Sequence, residues 1–317
     1  MILVTGATGF VGRTLVERLT SGSLPVRVLL PPHGSRSSRP PLSTDVTVVP
    51  GSIHDAESLH QAMAGVHTVF HFASAQWWGR RRDLDEIDVQ GTRNVITAGR
   101  AARIGRLVVM SHLGASPASA FMLLRAKGQV EELVKASGLA YTIFRSGVIF
   151  GPEDTFVNGI ALLLRTNPLF FVLPGNGEGL LHPLYINDMV EGLFRSLENL
   201  NTVDQVVEVG GPEYMTYNEM VRTVMRVTDA PRMLASMPPH LMRTFTALLT
   251  RIVPRWPMTP QWLDILASNR TAPLGNMFDL FGIHPVRFED TILTYMRGRR
   301  YFPELVRTTL RRHSQSI

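Results

Sequence analysis

"TGATGFVG", Thr5 to Gly12, decides the fold. The apolar run Met1 to Val4 precedes it and a helical period over Val11 to Leu19 follows, so Gly6, Gly9 and Gly12 stand where a strand turns into a helix. Glycine suits such a corner because the turn is tight and the helix packs closely on the strand. The bare backbone also lets N–H groups approach an anion, which the helix N-terminus favours. The pattern therefore reads either as the corner that grips the pyrophosphate of a dinucleotide or as glycines that merely make a tight turn.

Working outward, short β-like runs recur at 26–30, 46–49, 67–72, 106–110 and 141–145, and helical patterns lie at Asp85 to Ala102 and Phe121 to Ser137. Near-continuous apolar strands joined by helices predict an α/β fold, a doubly wound parallel sheet covered on both faces. After Arg145 the rhythm loosens into Gly/Pro clusters at "FGPED", "LPGNGEG" and "GGPE". The stretch 233–261 carries no strand signal, which predicts a smaller, mostly helical C-terminal lobe. The expected division is residues 1–150 and 183–209 for the sheet domain, 151–182 and 210–296 for the lobe, and 297–317 for a basic tail.

The 317 residues are 44% apolar, enough for an ordinary globular core. No apolar run is long enough to cross a bilayer, and "MILVTGATGF" opens without a charged leader, so the chain reads as untargeted and cytoplasmic. With no cysteine there is no disulfide, thiolate metal site or thiol nucleophile. The ten histidines form no HExxH, His71 and His112 read as satisfied polar residues, and no GxSxG turn suggests a hydrolase. The net charge of +6 sits mostly in the last 23 residues, where six arginines oppose only Glu304. A body so nearly neutral argues against nucleic-acid binding. The tail either packs on the body as a helix or contacts an anionic partner or membrane surface, which would make the protein peripherally membrane-associated.

The glycine corner, together with "HFAS" (71–74), "VQGTRNV" (89–95), "SHLGA" (111–115), "FGPED" (150–154) and "HPLYINDM" (182–189), resembles the extended and atypical short-chain dehydrogenase/reductases. Within them the chain is most similar to the branch that includes the nucleotide-binding accessory subunit of respiratory complex I and its bacterial relatives. The resemblance implies a Rossmann domain with NAD(P) across the C-terminal ends of the strands and a lobe closing over a small-molecule substrate. It assigns Gly6, Thr8, Gly9, Phe10, Val11 and Gly12 to the cofactor corner, Ser52 and Ile53 to the adenine, and Phe72, Ala73 and Ser74 to the wall beneath the cofactor. Relatives commonly carry an Asp where this chain has Ser52–Ile53. Relatives also often pair through the helices matching 85–102 and 121–137, which leaves a homodimer open.

No acid ends the second strand to accept bonds from an adenosine ribose, whereas Arg36 and Arg39 follow it in "PPHGSRSSRPP" and suit a 2′-phosphate. NADP(H) is thereby favoured over NAD(H), with a merely solvated arginine loop as the alternative. In catalytic relatives a Tyr precedes the helix Lys by four residues and its phenol exchanges the proton. Here Leu123 stands four before Lys127, so that mechanism is unavailable. Lys127 then binds the ribose, donates the proton itself, or is a surface lysine; Ser111 matches the family's catalytic Ser/Thr. Tyr185 is a weaker substitute, and Trp77 and Trp78 form either a substrate wall or a cap on the lobe. Two functions stay open. One is an oxidoreductase reducing a small apolar carbonyl or enone; the other is a non-catalytic nucleotide-binding subunit that docks a larger assembly.

Overall fold

Seven apolar runs form one all-parallel sheet in a computed structural model that describes residues 1–31, 46–76, 80–252 and 256–298. The strands are β1 (Ile2–Thr5), β2 (Val26–Leu30), β3 (Val46–Pro50), β4 (Thr68–His71), β5 (Arg106–His112), β6 (Tyr141–Ser146) and, late in the chain, Gln205–Val209. Before that last strand come β7 (Ile149–Phe150), β8 (Phe170–Pro174), β9 (Leu180–Leu181) and β10 (Leu184–Tyr185), so it is β11. Across the sheet the order is β3-β2-β1-β4-β5-β6-β11. Successive strands step outward from β1 in one direction, then from β4 in the other. The gap between the ends of β1 and β4 is thus the topological switch point where ligands bind in such sheets.

Helices cover both faces. On one side α1 (Phe10–Ser21) lies beside Ile186–Arg195, and Leu15, Leu19, Met189 and Leu193 fill the layer beneath Val4, Val28 and Val108. On the other, α2 (Ala56–Met63), a helix from Arg81 to Ala102 and Met122–Lys135 bury Leu59, Val95, Val130 and Val134 against Leu3, Val69 and Ile143. That long helix is not uniform. A single turn α3 (Arg81–Asp83) passes into a π-helical segment, Leu84–Gln90, before α4 (Gly91–Ala102) begins. Wide π turns are rare and tend to occur at functional sites. The helix of the Lys127 motif, Met122–Lys135, is α5.

The lobe packs α6 (Val157–Thr166), α8 (Tyr217–Val227), α10 (Pro260–Ser268) and α12 (Phe288–Met296) around buried Phe156, Tyr217, Trp262 and Phe288. The chain order is completed by α7, the Ile186–Arg195 helix, by α9 (Pro239–Ile252), and by α11 (Asn276–Phe281), whose Met277 and Phe281 pack in the α1/α7 layer. One expectation is overturned in this region. Met233–Met237 is a strand, β13, pairing in parallel with β8, although its residues give no strand signal. Its side chains are mostly exposed, so the pairing comes from β8 and not from an apolar alternation of its own. Two-residue strands also join β7 to β10 and β9 to β12 (Met215–Thr216). Among the described residues no helix is long and apolar enough to cross a membrane. Arg36, Arg39, Trp77, Trp78 and the tail beyond Gly298 lie outside the described residues.

Candidate functional site

A cleft of roughly 360 Å³ opens at the switch point, between the corner after β1 and the segment after β4. Thr8, Gly9, Phe10, Val11 and Gly12 line one end, Ser52 and Ile53 the adjoining wall, Phe72, Ala73 and Ser74 the floor, and Ser111, Leu123 and Lys127 the far end. The structure thus brings together the described residues that the resemblance assigns to the cofactor, with Ser111 and Lys127. Tyr185 does not line it: its hydroxyl accepts from Asn187 Nδ2 at 3.4 Å and its ring packs on Phe150.

At the corner, Gly6 has φ +71°, and a Cβ there would lie 2.6 Å from the backbone of Phe72 and Ala73. A Cβ on Gly12 would lie 2.3 Å from the Gly6 carbonyl oxygen. These two glycines therefore let β1, α1 and the β4 loop close on one another. Gly9 differs, because its Cβ would meet only the Gly6 oxygen, at 3.2 Å. No side chain caps α1, whereas Asp55 caps α2 and Thr216 with Glu219 forms a capping box on α8. An uncapped helix start with free first-turn N–H groups, opening on a glycine-walled cleft, fits a dinucleotide diphosphate.

On the adenine side, the Ser52 hydroxyl accepts from His54 N at 3.2 Å, and Asn94 Nδ2 donates to the Ile53 carbonyl at 3.0 Å. The Ile53 side chain packs on Gly91, where a Cβ would lie 2.4 Å from Cδ1. A polar, partly apolar wall of this kind can hold a planar base.

The far end holds the arrangement that sequence reasoning missed. Lys127 Nζ lies 2.9 Å from Asp88 Oδ1 and donates to Ser74 Oγ at 3.0 Å. Ser74 Oγ in turn donates to Asp88 Oδ1 at 2.5 Å, and Ala75 N donates to Oδ2 at 2.9 Å. Asp88 sits on the π turn and is 1% exposed. Lys127 is therefore no surface lysine: its ammonium is paired with a buried carboxylate at the cleft's edge. Leu123, at the position of the missing phenol, is buried in an apolar cluster with Phe150 and Phe156. Ser111 faces the cleft, but its hydroxyl donates to Glu131 Oε1 at 2.5 Å, and Arg145 holds Glu131 from the other side. The hydrogen that would polarise a substrate carbonyl is committed elsewhere.

A second buried chain runs behind the floor. His71 Nδ1 lies 2.7 Å from Thr5 Oγ1, and Nε2 lies 3.1 Å from Thr92 Oγ1, which donates to the Asp88 carbonyl at 2.5 Å. Because Thr92 has given its proton away, it must accept from His71 Nε2; in the neutral ring Nδ1 then carries no hydrogen and accepts from Thr5. Burial, reinforced by the Lys127 charge, pushes the His71 pKa down to about 4. Above pH 6.5 the ring is neutral in folded and unfolded chains alike. Between 6.5 and about 4 only the unfolded chain takes the proton, so His71 lowers stability as the solution is acidified. Asp154, raised to about 6 by burial against its N–H bonds, works in the opposite sense between pH 6 and 3.8. A ¹⁵N NMR titration should find His71 uncharged and protonated at Nε2 at pH 5; protonation near 6.5 would contradict the buried chain.

Comparison with known proteins agrees with this geometry. Residues 6–159 match the family described as NAD(P)H-binding. A mitochondrial NADH dehydrogenase (ubiquinone) 1 alpha subcomplex subunit 9 from Arabidopsis thaliana is 30% identical over 225 residues, covering 68% of this chain and 55% of the relative. A 2-alkyl-3-oxoalkanoate reductase from Stenotrophomonas maltophilia is 29% identical over 259 residues, covering 73% and 76%. The chain spans 55–62% of the length of the alpha subcomplex subunit 9 relatives it matches. Among solved structures, an NADPH-dependent quinone oxidoreductase from Escherichia coli superposes with TM-score 0.72 at 19% identity, covering 93% of this chain and 99% of that one, and so shares the fold. The findings support the resemblance read from the motifs, to the NAD(P)H-binding, atypical short-chain dehydrogenase/reductases.

Proposed function

We propose that the protein binds NADP(H) and holds it with little or no turnover, as a nucleotide-binding subunit of a larger assembly. The observation that carries this reading is the far end of the cleft, where Leu123 is hydrocarbon and Lys127 is engaged by Asp88 and Ser74. The Ser111 hydrogen, given to Glu131, removes the other familiar donor. NADP(H) is preferred because Pro31 and not an acid follows β2, while Arg36 and Arg39 come shortly after in the chain. The basic residues 297–317 would supply the docking element toward an anionic partner.

A second reading, reduction of a small apolar carbonyl or enone, is favoured by one feature. Met110, Leu123, Ile149 and Phe156 give the cleft beside Lys127 an apolar lining. The reductase relative points the same way. In that reading NADPH supplies hydride, and a water or Lys127 supplies the proton.

Native mass spectrometry of the purified protein, followed by NADPH and NADH titrations and a carbonyl and enone panel, separates the two. The expected result is bound dinucleotide, tighter NADPH than NADH, and no nicotinamide oxidation above background. Lys127→Ala should then change affinity alone. Substrate-dependent oxidation of NADPH would replace the first reading with the second.

A further inference from the structure

We propose that Asp88 is a positioning residue for the cofactor site: from its π turn it fixes Lys127 and offsets its charge, so that Lys127 meets the ligand as a donor to an uncharged hydroxyl and not as a phosphate-binding cation. The inference rests on the dinucleotide-binding reading above.

Asp88 touches no part of the cleft surface, yet it organises three groups that do or that adjoin it. Its carboxylate holds Lys127, Ser74 and the Ala75 amide, at 2.9, 2.5 and 2.9 Å. Its carbonyl is fixed as well, by Thr92 Oγ1 at 2.5 Å, and Thr92 belongs to the His71–Thr5 chain ending at the residue before Gly6. One residue therefore ties α5, the β4 loop and the end of β1 into a single frame. An ammonium has three N–H donors. Two are directed to Asp88 and Ser74, which leaves one for the cleft that Lys127 lines.

Charge decides what that donor can recognise. A buried carboxylate 2.9 Å away screens the ammonium from anything beyond it, whereas a hydrogen bond to a hydroxyl needs only the N–H. The choice of lysine also stands out in a chain with 30 arginines and two lysines. A single compact ammonium fits a one-carboxylate, one-hydroxyl seat, and a planar guanidinium with five donors does not.

The test is a double-mutant cycle on the full chain, reading the NADPH Kd by fluorescence and the melting temperature without ligand. Asp88→Asn and Lys127→Met should each weaken NADPH about tenfold. Asp88→Asn combined with Lys127→Met should bind within twofold of Lys127→Met alone, because Asp88 acts through the lysine. Each single variant leaves one member of a buried pair unmatched and should melt lower, while the double variant should recover part of that loss. The loss caused by Lys127→Met should also stay constant within twofold between 50 and 500 mM NaCl, since a hydroxyl contact is little screened. The inference is overturned if the two losses multiply, if Asp88→Asn leaves Kd unchanged in a protein that binds NADPH, or if salt erases the Lys127→Met loss. A wild-type protein with no NADPH affinity would instead remove the binding reading, and this inference with it.

Discussion

Gly9→Ala is expected to weaken NADPH binding by at least about a hundredfold while moving the melting temperature by only a few degrees, whereas Gly12→Ala should prevent stable folding. The difference lies in what each new methyl meets. At Gly12 it would lie 2.3 Å from the Gly6 oxygen, 2.9 Å from the Gly6 carbonyl carbon and 3.0 Å from Ala7 Cα. All are backbone atoms, so relief requires moving α1 off β1, the central packing of the sheet's switch point. At Gly9 the backbone has φ −73° and ψ 168°, ordinary extended geometry for alanine, and only the Gly6 oxygen comes near, at 3.2 Å. The added methyl then occupies the approach to the uncapped start of α1. Charge-assisted hydrogen bonds contribute about 1.5–3 kcal/mol each, so losing two removes roughly two to four orders of magnitude in affinity. Thermal melts and NADPH titrations of the two variants check this. A Gly9→Ala protein that binds like wild type would mean that the glycines only make a tight turn.

Legibility in the sequence follows the range of the interaction. The strands were readable because a buried parallel strand is a local apolar run: the readings at 26–30, 46–49 and 106–110 meet strands at Val26–Leu30, Val46–Pro50 and Arg106–His112. The glycine corner was readable because turn, strand end and helix start lie within eight residues. β13 was not, since its pairing partner is about sixty residues away and its own residues bury little. Asp88 escaped for a related reason. It belongs to "VQGTRNV" country by sequence, but its partners come from the β4 loop and from α5. One signal was available: Leu84, Ile87, Thr92 and Val95 place Asp88 on the inward face of its helix. An acid on a buried face needs a cationic or N–H partner, and Lys127 lies on a facing helix. The same argument would have paired Glu131, four residues after Lys127, with a basic partner before any role was given to Ser111.

That pairing yields the other large effect. Glu131→Ala should destabilise the protein by about 3–5 kcal/mol, the usual cost of removing one member of a buried ion pair. Glu131 is 1% exposed and accepts Arg145 Nε at 2.9 Å, Arg145 Nη2 at 2.6 Å and the Ser111 hydroxyl at 2.5 Å. Without it, Arg145 keeps only Glu208, at 3.2 Å, and the Ala115 carbonyl, at 3.4 Å, in a position where water reaches it incompletely. Glu131→Gln retains an acceptor and the volume but not the charge, so its loss should be smaller. Ser111→Ala removes a single donor and leaves the ion pair, so it should cost about 1 kcal/mol. Urea denaturation of the three variants measures the series. The ordering separates two views of Ser111, because a hydroxyl serving Glu131 can be deleted with no more than a twofold change in NADPH affinity. A hydroxyl serving the nicotinamide end of the cleft would lose affinity or turnover well before it lost stability.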